Sequence, residues 1–129
     1  DLPLDVYQDK YEHIFKANGL ANIFLITPQT SNERIQQIDT ASNAFIYMVS
    51  SASVTGSQDG FGNTQEDYFN RISEMNLKNP QIVGFGISNS ETFRQATKMA
   101  KGAIIGSAFI KHLTQNGIND IADFIKAIR

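Results

Sequence analysis

Four short apolar runs alternate with helix-like patterns along the chain, and this alternation restricts the fold more than any other feature. The runs lie at residues 23–26, 45–49, 82–87 and 103–105. None of them alternates apolar with polar residues, which predicts strands that are covered on both faces. Apolar residues at helical spacing fill the segments before, between and after the runs. The sequence therefore predicts an α/β fold in which helices wrap a parallel four-stranded sheet.

The number of strand–helix units limits the architecture further. A closed (β/α)8 barrel needs at least ~200 residues, whereas this chain has 129 residues. Its four units correspond to half of a TIM barrel or to a small open sheet. No linker, low-complexity tract or run of charge divides the sequence, so we expect a single domain over residues 1–129.

Capping residues and apolar spacing predict where the helices begin and which sides they bury. Residues 30–33 have the spacing of a capping box, and Asn89 is placed to cap a later helix. Apolar residues at helical spacing are expected to face the core, among them Tyr11, Ile14, Ile110 and Ile125.

Composition excludes several classes of protein. The chain has 11 Lys+Arg against 13 Asp+Glu and a net charge of −2, which argues against a nucleic-acid binder. It contains no cysteine, so disulfide scaffolds, cysteine zinc sites and thiol catalysis are excluded. No apolar run approaches the ~20 residues that span a bilayer, and no secretory signal opens the chain. These features are typical of a cytoplasmic protein without a membrane segment.

Histidine and acidic residues give no pattern of a catalytic or metal centre. Both His13 and His112 stand beside charged residues on predicted helices, and we expect them at the surface. No group of His, Asp and Glu has the spacing of metal ligands, so no metal site is expected.

Glycine-bearing segments follow three of the predicted strands. Gly56 lies in the loop after the second strand, Gly86 ends the third, and Gly106 with Ser107 follows the fourth. Glycine lets a backbone N–H approach an anion, and a helix N-terminus adds a favourable dipole. Two consecutive strand ends of this kind, the second leading into a short helix, are typical of the phosphate site of TIM barrels. The alternative is that these glycines only make room where a strand meets a helix.

Taken in order, the motifs resemble those of the tryptophan synthase alpha chain family. The matching stretches are Asp1-Leu2-Pro3, Ile23-Phe24 with Pro28, Tyr47-Met48-Val49-Ser50, Val54-Thr55-Gly56, Gly84-Phe85-Gly86-Ile87-Ser88 and Gly106-Ser107-Ala108. Members of that family are roughly twice this length and form a full (β/α)8 barrel. The resemblance covers the part from the end of barrel strand four to the C-terminus, which agrees with the absence of an initial Met.

The resemblance implies an activity and a partner. The family cleaves indole-3-glycerol phosphate by a retro-aldol reaction into indole and glyceraldehyde 3-phosphate, as a lyase of tryptophan biosynthesis. The chain itself uses no cofactor, because pyridoxal phosphate is held by the partner β chain of an α2β2 complex. The catalytic Glu and Asp belong to the first half of the barrel. No catalytic residue is therefore expected in this chain, which would be inactive alone.

The resemblance also assigns site residues by motif. Substrate phosphate would be held by Gly56, Gly86, Gly106 and Ser107. The indole pocket would be lined by Leu25, Tyr47 and Phe85, although core packing is the simpler reading of Tyr47 from its strand alone. Thr55 would lie on the loop that closes the site. The β chain would be met by Asp1, Pro3 and Pro28.

Other functions remain open on the residues alone. One is a stand-alone module that binds a phosphorylated ligand, and another is a subunit that docks on a partner without catalysis. Half of a barrel also leaves two strand edges and an apolar inner face uncovered, so self-association is expected.

Overall fold

The computed structural model describes residues 2–49, 63–84 and 86–129 of the chain. This part of the chain contains one parallel sheet in the order β1-β2-β3-β4. Its strands are β1 (Leu25–Ile26), β2 (Ile46–Val49), β3 (Gln81–Gly84) and β4 (Gly102–Ile104). The predicted α/β fold with four parallel strands is confirmed.

Helices precede the sheet and follow every strand in this part of the chain. The α-helices are α1 (Leu4–Val6), α2 (Glu12–Ala17), α3 (Asn32–Ala41), α4 (Asn63–Glu74), α5 (Ser90–Met99), α6 (Ser107–Asn116) and α7 (Ile121–Ile128). A π-helical turn (Tyr7–Tyr11) joins α1 to α2, and a 3-10 turn (Ile118–Asp120) joins α6 to α7. No helix in these ranges is long and apolar enough to cross a membrane.

The strands are shorter than the apolar runs that predict them. The third run extends to residue 87, but β3 ends at Gly84. Gly86 has a φ of 75°, which lies outside the β region and turns the chain away from the sheet. The apolar run continues beyond the end of β3 because the chain there is still packed in the core, where Ile87 is only 5% exposed.

Side-chain caps fix two helix starts. Asn89 accepts a bond from the Thr92 N–H and forms a full capping box, as its position predicts. At α3 the cap is Ser31, which accepts from the Arg34 N–H. Thr30 has another task, because its hydroxyl accepts from the Thr27 N–H and closes the preceding turn.

The apolar spacing of the helices overstates how much they bury. Tyr11 and Ile14 were expected inside but are 41% and 45% exposed, and Ile110 and Ile125 are 63% and 49% exposed. In the first helical stretch the reason is the π-helical turn, in which the Glu12 N–H bonds to the Tyr7 carbonyl. This i→i+5 bond adds a residue to the turn and rotates Ile14 out of the predicted face, while Phe15 still packs against Tyr7.

The two faces of the sheet are covered unequally by the rest of the chain. The outer face packs under the helices, and its side chains Ile26, Ile46, Met48 and Val83 are all 0% exposed. On the inner face the aligned residues Leu25, Tyr47 and Ile82 are exposed or half-buried. The expectation of strands covered on both faces is therefore met on one face only within the described residues.

A buried polar network closes the amino edge of the sheet. The Asp39 carboxylate accepts from the N–H groups of Lys78 and Asn79 at 2.9 and 3.0 Å. It also accepts from the Asn79 side-chain amide at 2.8 Å. Asp39 is 6% exposed, so this network joins the end of α3 to the segment that leads into β3.

Candidate functional site

The carboxyl ends of β3 and β4 lie side by side. Gly84 is aligned with Ile104 in the parallel register, and these are the last residues of β3 and β4. Gly86 and Gly106 follow the aligned pair by two residues each, and both are exposed. The sheet therefore brings two of the predicted phosphate residues to neighbouring strand ends.

The two glycines differ in what their backbone requires. Gly86 has a φ of 75°, a conformation that favours glycine whatever lies nearby. Gly106 has a φ of −100°, and a Cβ placed on it would meet nothing within 4 Å. Room for a strand–helix contact therefore does not explain Gly106, because the space where its Cβ would lie is open among the described residues.

The N-terminus of α6 is open to a ligand. Gly106 is its N-cap without a side-chain cap bond, Ser107 is its first residue, and its first turn carries no acidic residue. The first helical bond runs from the Ile110 N–H to the Gly106 carbonyl at 3.0 Å. Earlier N–H groups of a helix have no intrahelical acceptor, and the helix dipole favours an anion beside them. Ser107 is exposed, so its hydroxyl adds another donor at this position.

Two predicted indole-pocket residues lie on the inner face of the sheet. Leu25 and Tyr47 are aligned on neighbouring strands, with Leu25 40% exposed and Tyr47 half-buried. The Tyr47 ring lies over Gly84, where an added Cβ would overlap the ring and its hydroxyl. Gly84 is not among the predicted site residues, although a glycine within a strand is a signal for the close approach of another group.

Four predicted site residues lie outside the described residues. They are Asp1 of the partner-facing segment, Thr55 and Gly56 of the loop after β2, and Phe85 of the indole pocket.

Pro3 lines a cleft beside β1, and Pro28 lies in the turn that follows this strand. The cleft has a volume of about 360 Å³, and its lining includes Pro3, Leu25 and Thr30. Pro3 is exposed and immediately precedes α1, while Pro28 is half-buried in the turn that follows β1.

Arg71 of α4 holds the turn that carries Pro28. Its guanidinium donates to the carbonyls of Pro28 and Thr30 at 2.9 and 3.0 Å, and it lies 5.5 Å from the centre of the Tyr68 ring. Burial raises the pKa of the Tyr68 hydroxyl, so this group stays protonated. No local pattern in the sequence indicates this role for Arg71, because its partners lie more than forty residues away in the chain.

The two histidines differ in environment. His13 is exposed on α2, as predicted. The prediction for His112 is wrong, because its side chain is only 20% exposed and its ring lies 4.8 Å from that of Phe124. The sequence places it beside Lys111 on α6, but α7 covers it. No cluster of three potential metal ligands occurs in residues 2–49, 63–84 and 86–129.

Comparisons with known proteins show which family this chain is similar to. A family model described as tryptophan synthase alpha chain matches residues 1–128. The tryptophan synthase alpha chain of Flavobacterium johnsoniae is 72% identical over 100% of this chain and 51% of its own length. That of Flavobacterium psychrophilum is 66% identical over 99% of this chain and 51% of its own length. This chain thus spans about half the length of the curated relatives it matches.

Solved structures show the same fold. A chain from the tryptophan synthase α2β2 complex of Pyrococcus furiosus matches with a TM-score of 0.79 and 29% identity, over 99% of this chain and 51% of that one. The four parallel strands and their helices correspond to half of that TIM barrel, which is one of the two architectures that the count of units allows. Because the family match extends over residues 1–128, this chain belongs to the tryptophan synthase alpha chain family.

Proposed function

We propose that the 129 residues form one domain that is the C-terminal half of a tryptophan synthase alpha chain. The whole protein would cleave indole-3-glycerol phosphate into indole and glyceraldehyde 3-phosphate in the cytoplasm. The observation that carries the proposal is the family match along the chain, combined with an open helix N-terminus at Gly106 and Ser107.

The phosphate of the substrate binds at the carboxyl edge of β3 and β4. Backbone N–H groups near Gly86 and Gly106, together with those of Gly56, and the Ser107 hydroxyl donate to its oxygens. The dipole of α6 contributes the positive end of its field. Because the donors are mainly backbone groups, this interaction depends on close approach rather than on a lysine or arginine.

The indole ring of the substrate lies against the inner face of the sheet. Leu25 and Tyr47 supply apolar contact from neighbouring strands, and Phe85 extends the pocket toward the phosphate. Thr55 belongs to the segment that closes over the substrate. The open inner face supports this assignment, since Leu25 is 40% exposed on a face that is otherwise apolar.

Proton transfer belongs to the other half of the barrel. The Glu and Asp that act as general acid and base would come from that half, so this chain binds and orients the substrate without catalysing the cleavage. General acid–base catalysis contributes ~10²–10⁴-fold, and its loss leaves the isolated chain inactive. The chain needs no cofactor, since pyridoxal phosphate belongs to the β chain.

The β chain docks beside β1. Asp1, Pro3 and Pro28 face it in the α2β2 complex, and the cleft between Pro3 and the Thr30 turn supports a shared surface there. Two prolines also fix the backbone of this surface before binding, which reduces the entropy lost on docking.

Activity is tested with and without the other half. A fusion chain joins the first half of the Flavobacterium johnsoniae relative to these 129 residues. We expect indole release from indole-3-glycerol phosphate by the fusion chain and none by the isolated chain. An inactive but folded fusion chain would contradict the proposed function, and indole release by the isolated chain would contradict the assignment of the acid and base.

Phosphate binding is tested in the fusion chain with glycerol 3-phosphate, by calorimetry. Gly106→Val should abolish binding, because its side chain fills the space that the anion occupies. A Cβ at Gly106 meets nothing within 4 Å among the described residues, so a loss of binding would not come from a clash of that atom within the chain. Ser107→Ala should weaken binding by about 1.5–3 kcal/mol, the range for one hydrogen bond to a charged group.

A valine elsewhere in α6 provides the control. Thr114→Val, on the exposed far end of α6, should bind glycerol 3-phosphate like the unaltered fusion chain. Equal affinity in Gly106→Val and the unaltered chain would mean that the anion binds elsewhere and that the glycines serve packing alone.

A further inference from the structure

Helix α6, which carries the proposed phosphate donors at its start, has little packing of its own. None of its residues is buried, and glycines flank it at both ends, Gly106 at the N-cap and Gly117 with a φ of 75° at the C-cap. Its ring contacts lie on α7, where Phe124 is 5.6 Å from Phe109 and 4.8 Å from His112. The direction of α6 therefore depends on what joins it to α7.

His112 makes polar bonds in addition to its ring contact. Its Nε2 lies 3.2 Å from Asp120 Oδ2 and 3.3 Å from the Asp120 carbonyl oxygen. On the other side of the ring, the Asn116 side-chain amide lies 3.2 Å from Nδ1. An amide N–H that donates to Nδ1 leaves the ring proton on Nε2, which then donates to Asp120.

Asp120 is oriented for this contact rather than for capping. It occupies the N-cap of α7, a position where aspartate commonly accepts from the helix N–H groups. Here its side chain makes no cap bond, and its carboxylate faces His112 instead. One imidazole thus connects the body of α6, through Asp120, to the start of α7.

We propose that His112 is a positioning residue of the phosphate site. It holds α6 against α7, and so fixes the place of the Gly106 and Ser107 donors at the carboxyl edge of the sheet. The inference rests on the proposed function for the ligand. It extends that function by assigning the orientation of α6 to a residue more than one helical turn after the Gly106 and Ser107 donors, about 7.5–9 Å along the helix axis at 1.5 Å of rise per residue.

The test compares three histidine substitutions in the fusion chain, with glycerol 3-phosphate as the probe. His112→Phe keeps a ring against Phe124 and removes the polar contacts of the ring with Asp120 and Asn116, and we expect the dissociation constant to rise about tenfold. His112→Gln keeps a donor directed toward Asp120, and its dissociation constant should stay within about threefold of the unaltered chain. His13→Phe, on the exposed face of α2, is the matched control and should leave affinity unchanged.

Hydrogen exchange of the α6 amides provides a readout that needs no ligand. In His112→Phe these amides should exchange about tenfold faster, while those of α3 keep their rates. Asp120→Ala removes the carboxylate from the other side, so it should increase exchange in α6 even if His112→Phe does not fold.

The outcomes separate this inference from the proposed function. Unchanged affinity and unchanged α6 exchange in folded His112→Phe would overturn the positioning role, as would a His112→Gln chain that is as weak as His112→Phe. Absence of binding by the unaltered fusion chain would overturn the phosphate site itself. In that case faster exchange in His112→Phe would still support the attachment of α6 by His112, and unchanged exchange would refute it.

Discussion

The two faces of the sheet differ in how completely this chain covers them. Outer-face residues such as Met48 and Val83 are 0% exposed under the helices, whereas Leu25 and Ile104 on the inner face are 40% and 37% exposed. Alternate residues of the same short strands thus have opposite environments. The outer face forms a buried core with the helices of this chain alone. The inner face is the one that the proposed substrate and the other barrel half would cover.

The largest expected effect concerns self-association of the isolated chain. Burial of an apolar face against a second copy lowers the free energy by ~25 cal/mol per Å². Sedimentation equilibrium should therefore show dimers or larger species. Leu25→Lys combined with Ile104→Lys should raise the dissociation constant by about 100-fold or more, since burial of an unpaired charge is costly. Ile110→Lys, at a residue that is 63% exposed on α6, is the control. A monomer at high concentration would show that the inner face does not drive association.

The next effect compares matched truncations on the two faces by urea unfolding. Met48→Ala, on the buried outer face, should lower the free energy of unfolding by about 2–5 kcal/mol because it leaves a cavity. Leu25→Ala, on the open face, should lower the free energy of unfolding by less than about 1 kcal/mol in the Ile104→Lys background, which places one charge on that face and so weakens association.

The fusion chain sharpens this comparison. Once the other half covers the inner face, the cost of Leu25→Ala should rise toward that of a buried leucine, while the cost of Met48→Ala stays constant. Equal costs for Leu25→Ala with and without the other half would mean that the inner face is not covered by it.

A smaller effect concerns Gly84, which makes room for a ring on the inner face. Gly84→Ala should cost about 1–3 kcal/mol, because its Cβ overlaps the Tyr47 ring and forces that ring to move. The cost should largely disappear in a Tyr47→Val background. It should persist in Tyr47→Phe, because the ring carbon that bears the hydroxyl also lies within the overlap. A constant cost in all three backgrounds would assign the glycine to backbone conformation instead.

The smallest effect belongs to an ion pair on the helical side. The Arg34 guanidinium donates to both Asp5 carboxylate oxygens at 2.9 and 3.0 Å and holds the pKa of Asp5 below its ordinary value of 3.8. A carboxyl pKa that is lower in the folded state than in the unfolded state stabilises the fold at pH values above the unfolded-state pKa. This stabilisation is lost as the pH falls through the folded-state pKa. Asp5→Asn should therefore lower stability slightly at neutral pH and not at all at low pH. The control substitution is Asp9→Asn, at an exposed residue of the π-helical turn.

Local features of the sequence were sufficient for the order of elements and for several boundaries. Asn89 predicts the start of α5 because its cap bond involves a residue only three positions away. Gly86 and Gly106 predict the ends of β3 and β4 at one edge, because parallel strands place their carboxyl ends together. Resemblance to the family was needed to attach a ligand to that edge.

Contacts between residues that are distant in the chain could not be predicted from the sequence. Arg71 shows no pattern that connects it to the turn of Pro28, which lies 43 residues earlier. His112 has a polar neighbour in Lys111 and so predicts a surface position, yet the chain returns through Gly117 and brings Phe124 over it.

The sequence by itself determined the α/β class, the parallel order and the strand ends that carry the glycines, because hydrophobic periodicity and capping act over a few residues. Only the tertiary structure decided which face of the sheet is buried under helices and which stays exposed. Leu25 and Ile26 are equally apolar neighbours, but one is 40% exposed and the other 0%. Their difference arises from the helices packed on one side, and burial of that kind depends on the whole arrangement rather than on any local run of residues.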